Sequence, residues 1–175
     1  YDGDGGRVKK VVYNDPNNDN ADDPVVTKYI GSLFEEESSG YAGQPVRRTE
    51  YVFLGGVRVA SVIDGKVYVS HLDHLNGTNV ITDSTGAMVE LLEYDPYGSF
   101  SRHDKFGSNS STAIWYFSRT FTGHAYDFES DLLFLGGRYY DPKLGRFITP
   151  DLLVQSPGSP QTFNRYTYSN NNPVN

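Results

Sequence analysis

The chain has 175 residues, a formal charge of −7 and no cysteine. The acidic balance argues against a surface that tracks nucleic-acid phosphates, and the absent thiols exclude disulfides, Cys-ligated metals and thiol nucleophiles. No apolar run approaches the ~18 residues of a membrane-spanning helix, and 18 Gly, 14 Tyr and 10 Phe with abundant Asn and Asp favour strands and tight turns. In chain order, short β-rich runs cover Arg7 to Tyr13 (RVKKVVY), Tyr51 to Ile63 (YVFLGGVRVASVI), Lys66 to Ser70 (KVYVS), Asn79 to Thr82 and Met88 to Tyr94 (MVELLEY). Asp64-Gly65 is a two-residue type I′ hairpin signal, and Asp83 to Gly86 is a slightly longer turn, so two hairpins follow one another. No window shows capped 3.6-residue periodicity, and helix is expected to be minor.

Two stretches read as loops. Residues 14–23 (NDPNNDNADD) are nearly devoid of apolar side chains and read as a solvated insertion, and residues 101–111 (SRHDKFGSNSS) lead into an aromatic run that must pack elsewhere. Tyr1-Asp2-Gly3 is neither an initiator nor a signal peptide, and Asn-Asn-Asn-Pro-Val-Asn stops in a turn-like stretch, so the sequence reads as cut from something longer.

Tyr-Asp recurs at Tyr1-Asp2, Tyr94-Asp95, Tyr126-Asp127 and Tyr140-Asp141. In each, the expectation is a ring capping a hairpin edge beside a carboxylate that accepts turn N–H groups. A hairpin cannot bury its own face, so such units need stacked neighbours.

Three long motifs in order, YVSHLDHLNGTNVITDSTGAMVELLEYDPYG (68–98), FTGHAYDFESDLLFLGGRYYDPKLGRFITPD (121–151) and NRYTYSNNNPVN (164–175), resemble the Rhs/YD-repeat family and its Rhs-repeat-associated core domain. The opening YDGDGGRVKKVVY looks like one more such hairpin. The resemblance implies an all-β fold: successive antiparallel hairpins of a sheet that spirals into a hollow shell in the parent protein. It divides the chain into a repeat strip over 1–100, a loop and connector over 101–120, and a core region over 121–175. It further implies a bacterial, secreted or cell-surface setting. The partners would be a C-terminal toxin enclosed by the remaining shell, and other toxin-complex or secretion components; neither nucleic acid nor a membrane span is implied.

The resemblance also implies chemistry. Toxin-carrying members behave as aspartyl autoproteases, and residue by residue their pattern falls on Arg138 and Asp151. A second acidic residue and the cleaved segment would follow the NNP turn, beyond Asn175, so this stretch would hold half of a site and not cut itself. Carboxylate proteolysis needs one neutral and one ionised acid, and an arginine holding Asp151 bidentately would supply the charged half. The residues alone favour a structural ion pair pinning the two ends of one β-turn-β unit. Tyr139, Tyr140 and Phe147 read as packing aromatics, Gly136, Gly137 and Gly145 as bends, and Arg146 as a rim charge.

Other constellations are weaker. His71-x-Asp73-His74 lacks a third histidine and reads as a turn rather than a metal site, Asp2-Gly3-Asp4-Gly5 would need Glu where Tyr13 stands to be a calcium loop, and no catalytic triad is present. No cofactor is expected. Three functions stay open: a toxin-enclosing shell segment, an autoprotease, and a cell-surface module binding glycans or proteins.

Overall fold

A computed structural model describes residues 1–3, 6–13, 24–38, 46–106, 117–154, 156 and 158–174. The loop expected over 14–23, the Asp4-Gly5 pair and most of the connector after 106 lie outside the described residues. The described chain is all-β, with antiparallel strands in two sheets and three 3-10 turns as its only helical segments.

The first sheet has nine strands in simple sequence order: β1 (Lys9–Val12), β2 (Val25–Ile30), β3 (Phe34–Ser38), β4 (Arg47–Leu54), β5 (Val57–Ile63), β6 (Lys66–Leu72), β7 (Thr78–Asp83), β8 (Met88–Tyr94) and β9 (Phe100–Lys105). The second has four: β10 (Ala125–Asp127), β11 (Leu132–Phe134), β12 (Tyr139–Asp141) and β13 (Arg146–Phe147).

Three expectations are corrected here. The run from Tyr51 to Ile63 is not one strand but a hairpin, reversed at Gly55-Gly56, whose φ values of +59° and +81° suit only a primed turn. Residues 101–105 are not loop but strand β9, held by the cross-strand pairs Glu90↔Lys105, Leu92↔His103 and Glu93↔Arg102. Strands β2 and β3 are missing from the runs read from sequence: β2, Val-Val-Thr-Lys-Tyr-Ile, carries a strand signal, whereas β3 reads Phe-Glu-Glu-Glu-Ser and carries little. Ionic neighbours make it a strand: Glu36 meets Lys28 and Arg48 at 3.3 Å each, Glu37 meets Arg47 at 3.1 Å, and Glu35 turns inward to Arg119.

The turn of the Tyr94-Asp95 unit recurs at other aspartates. Asp95 N–H donates to Ser99 O at 2.9 Å, Gly98 N–H donates back to Asp95 O, and Oδ1 of Asp95 accepts the N–H groups of Tyr97 and Ser99. The same five-residue closure recurs at Asp73 and Asp83, which lack the tyrosine, and Oδ1 of Asp2 and Asp141 accepts turn N–H groups in related bends. The fourth residue sits at positive φ, supplied by Asn76, Gly86 or Gly98. At Gly98 a second reason applies: a Cβ there would lie 2.5 Å from the ring of Phe121.

The tyrosines do more than cap hairpin edges. Tyr126 and Tyr140 are buried with Phe121, Leu133 and Phe147, while Tyr94 and Phe100 join this cluster to a second one of Ile63, Ile81, Leu92 and Phe117. Asp127 departs from the turn-capping pattern, because its carboxylate faces Arg7 at 2.7 Å and Lys10 at 3.2 Å.

The segment 117–127 threads along one face of the large sheet. Phe117 packs edge-on to Tyr68 of β6, Arg119 pairs with Glu35 of β3, Thr120 O accepts from Thr78 of β7, and Phe121 packs on Tyr94 of β8. The Tyr126 ring then packs at a tilt with its centre 4.9 Å from that of Phe100 of β9, whereas its neighbour Asp127 grips Arg7, just before β1. Eight inter-strand spacings make a flat sheet roughly 38 Å wide, which two adjacent residues cannot reach from both sides. The sheet therefore curls around the 117–127 segment.

Candidate functional site

Arg138 and Asp151 come together. After the bend at Gly136-Gly137, Leu135 N–H donates to Arg138 O at 2.9 Å, and the chain enters β12. The β12–β13 hairpin returns it beside β12: Tyr140 pairs with Phe147, and Ile148 N–H reaches Tyr139 O at 3.0 Å. Asp151 is then fixed by its own N–H, which donates to Arg165 O at 2.8 Å.

The Arg138 guanidinium lies 3.7 Å over the centre of the Phe147 ring, with Nη2 at 3.1 Å from Oδ2 of Asp151. Oδ1 of Asp151 accepts the Leu153 N–H at 3.1 Å, closing an Asx-turn. Both side chains are about one-quarter exposed, so the pair meets solvent in a groove of about 220 Å³ that Phe147, Asn164, Arg165 and Thr167 also line. Chemically, the arrangement orients one carboxylate against a guanidinium. It offers no second acid among the residues lining the groove, which a proton-sharing pair requires.

Of the packing residues named from sequence, Tyr140 and Phe147 are buried, and the Tyr140 hydroxyl donates to Tyr97 O at 2.7 Å. Tyr139 is half-buried and its hydroxyl accepts from Arg7 at 3.1 Å. Gly136, Gly137 and Gly145 all have positive φ, and Arg146 is exposed. The other histidine motif is taken up in turns: His71 Nε2 lies 3.1 Å from Thr82 Oγ1, and Asp73 caps its own bend.

Two features escaped sequence reasoning. The first is the place of the Asn-rich turn read from sequence: Ser169 and Asn170 line the groove beside Arg138, in a run of three non-glycine residues at positive φ that ends at Asn171. The second is the buried ionic chemistry across the sheets. Arg58 donates to Thr78 Oγ1 and Arg119 O but faces no carboxylate directly, and burial lowers its guanidinium to about 10. Burial also holds the His124 imidazole below its usual range, with help from the Arg119 cation.

The family profile described as the teneurin YD-shell matches residues 58–174. The chain belongs to the teneurin YD-shell family. As a YD-shell segment of the Rhs/YD-repeat type, it resembles tRNA3(Ser)-specific nuclease WapA of Bacillus spizizenii, with 27% identity over 99% of this chain and 7% of that protein. It also resembles teneurin-1 of Mus musculus, with 30% identity over 71% of this chain and 4% of that protein. Among solved structures, the Photorhabdus luminescens Tc holotoxin pore superimposes with a TM-score of 0.81 at 22% identity, and the TcdB2-TccC3 complex with 0.79 at 23%. Each match covers 99% of this chain and 8% of the other. The YD-shell segment thus spans under a tenth of the length of these proteins, and the structural likeness carries the fold.

Proposed function

We propose that the chain is a wall segment of a β-shell that encloses a C-terminal toxin, and that Arg138 and Asp151 form the charged half of an aspartyl peptide-cleaving site acting once, in cis. The observation that carries this reading is the placement of the Arg138–Asp151 pair at 3.1 Å in an open groove, on a chain whose fold follows a Tc toxin component over nearly its full length. In this reading Arg138, braced on Phe147, keeps Asp151 ionised, and a second carboxyl arriving on the cleaved chain supplies the proton. The enclosed cargo, the secreted setting and the remaining shell as partner belong to the same proposal, supported by the Tc likeness and by relatives named as nucleases.

The test is to express the chain together with whatever its gene encodes beyond Asn175 and to follow its mass, alongside Asp151→Asn and Arg138→Ala. Cleavage that stops in Asp151→Asn and slows in Arg138→Ala supports the roles. Cleavage unchanged in both removes them, and no cleavage in any form leaves the shell wall alone.

A further inference from the structure

The charge of the chain is unevenly placed. Residues 132–175 hold four of its 15 Lys and Arg (Arg138, Lys143, Arg146, Arg165) and two of its 22 Asp and Glu (Asp141, Asp151). That gives +2 locally and leaves −9 on residues 1–131. Two of the four cations are committed: Arg138 to Asp151, and Lys143 to Asp131 at 2.6 Å. Arg146 and Arg165 are exposed and make no ion pair among the described residues.

The same region concentrates exposed apolar side chains. Leu152 is 91% exposed, Leu153 73%, Leu144 65% and Phe163 62%, with Ile148 and Tyr166 also open. Large side chains exposed together in this way mark an interaction surface rather than a solvated one. Between them run two grooves, the 220 Å³ one beside Arg138 and a second of about 230 Å³ beside Arg146, which share Asn164 and Thr167.

We infer that these joined grooves bind an extended peptide that alternates acidic and apolar side chains, its carboxylates facing Arg165 and Arg146 and its apolar groups covering Leu152, Leu153 and Leu144. This rests on reading the Arg138–Asp151 groove as a peptide site, but not on cleavage. Charge complementarity selects the acidic partner. The apolar rim favours peptide over a phosphate backbone, which would leave those leucines in water.

The test uses the 175-residue chain and fluorescence anisotropy of a labelled alternating Glu/Leu peptide, with a Lys/Leu peptide and a single-stranded DNA oligonucleotide as comparisons. The Glu/Leu peptide should bind selectively and weaken as salt rises. The Arg146→Glu/Arg165→Glu double variant should lose roughly tenfold or more in affinity, and Leu152→Ser/Leu153→Ser, which alters only surface residues, should also weaken it. Asp151→Asn, which removes an anion from the groove lining and frees Arg138, should raise the affinity. No binding, equal binding of the Lys/Leu peptide or the oligonucleotide, or an affinity untouched by both double variants overturns the inference, as does loss of binding in Asp151→Asn. A cleavage test that fails while this binding holds would sink the protease reading alone.

Discussion

Arg7 and Asp127, 120 positions apart, meet through two nitrogens at 2.8 and 2.7 Å, with the guanidinium 4.3 Å over the ring of Phe134. Both side chains are about 95% buried, and Lys10 approaches the same carboxylate at 3.2 Å. Removing one member of a buried ion pair strands the other, which costs about 3–5 kcal/mol. Asp127→Ala, which strands Arg7 while Lys10 keeps Glu129 at 3.0 Å, is expected to lose about that much in urea unfolding. Adding Arg7→Met should recover part of the loss, giving a coupling energy in the double-mutant cycle.

Arg58 should behave in the opposite way. Its guanidinium is buried beside Tyr51, and among the described residues it faces no carboxylate directly and its Nε has no hydrogen-bond partner. If it is removed, Thr78 Oγ1 still donates to Arg119 O at 2.8 Å, so no acceptor is orphaned. Arg58→Met is expected to fall within about 1 kcal/mol of the parent or to be more stable, because apolar replacements of buried charges commonly are. A fall in the unfolding midpoint of several degrees would contradict this.

Gly98 and Gly136 separate two costs. Both have positive φ, +92° and +57°, but a Cβ at Gly98 meets Phe121 at 2.5 Å whereas nothing lies within 4 Å at Gly136. Gly136→Ala carries only backbone strain and should cost about 1 kcal/mol. Gly98→Ala adds overpacking of a buried ring and should cost about 3 kcal/mol. Parallel thermal melts of the two variants decide it.

Acid should weaken the fold through His124. Its ring Nδ1 lies 2.9 Å from Thr122 Oγ1, and burial together with Arg119 lowers its proton affinity below the ordinary value of about 6.5. The unfolded chain binds the proton more readily, so the favourable contribution is complete above that ordinary value and is lost as pH falls through it toward the lower folded value. His124→Gln should flatten this limb of the stability profile between roughly pH 7 and 5. A profile with the same slope in both proteins would exclude the assignment.

The turns were the most legible part of the fold, because their residues are chosen by local backbone geometry: Asp64-Gly65 has the two positive φ values, +47° and +79°, that its type I′ signal demands. The clustering of Arg138 with Asp151 was legible as well, since a short hairpin lies between them. Strands β3 and β9 were not. Their residues, Glu35 to Ser38 and Ser101 to Lys105, have weak strand propensity, and partners contributed by other strands decide their state. Asp127 misled for the same reason: the Tyr-Asp pattern assigns its carboxylate to a turn, yet a cation from the far edge of the sheet claims it.

The curl of the large sheet has a consequence for the order in which the molecule is made. Each hairpin can close as soon as its two strands exist, because neighbours in space are neighbours in sequence. The enclosure cannot: the residues before β1 wait for Asp127, and β9 waits for Tyr126. Local pairing should therefore be fast, and consolidation should be a late, high-contact-order event. During synthesis the hairpin strip would remain open until its last third arrives to fill it.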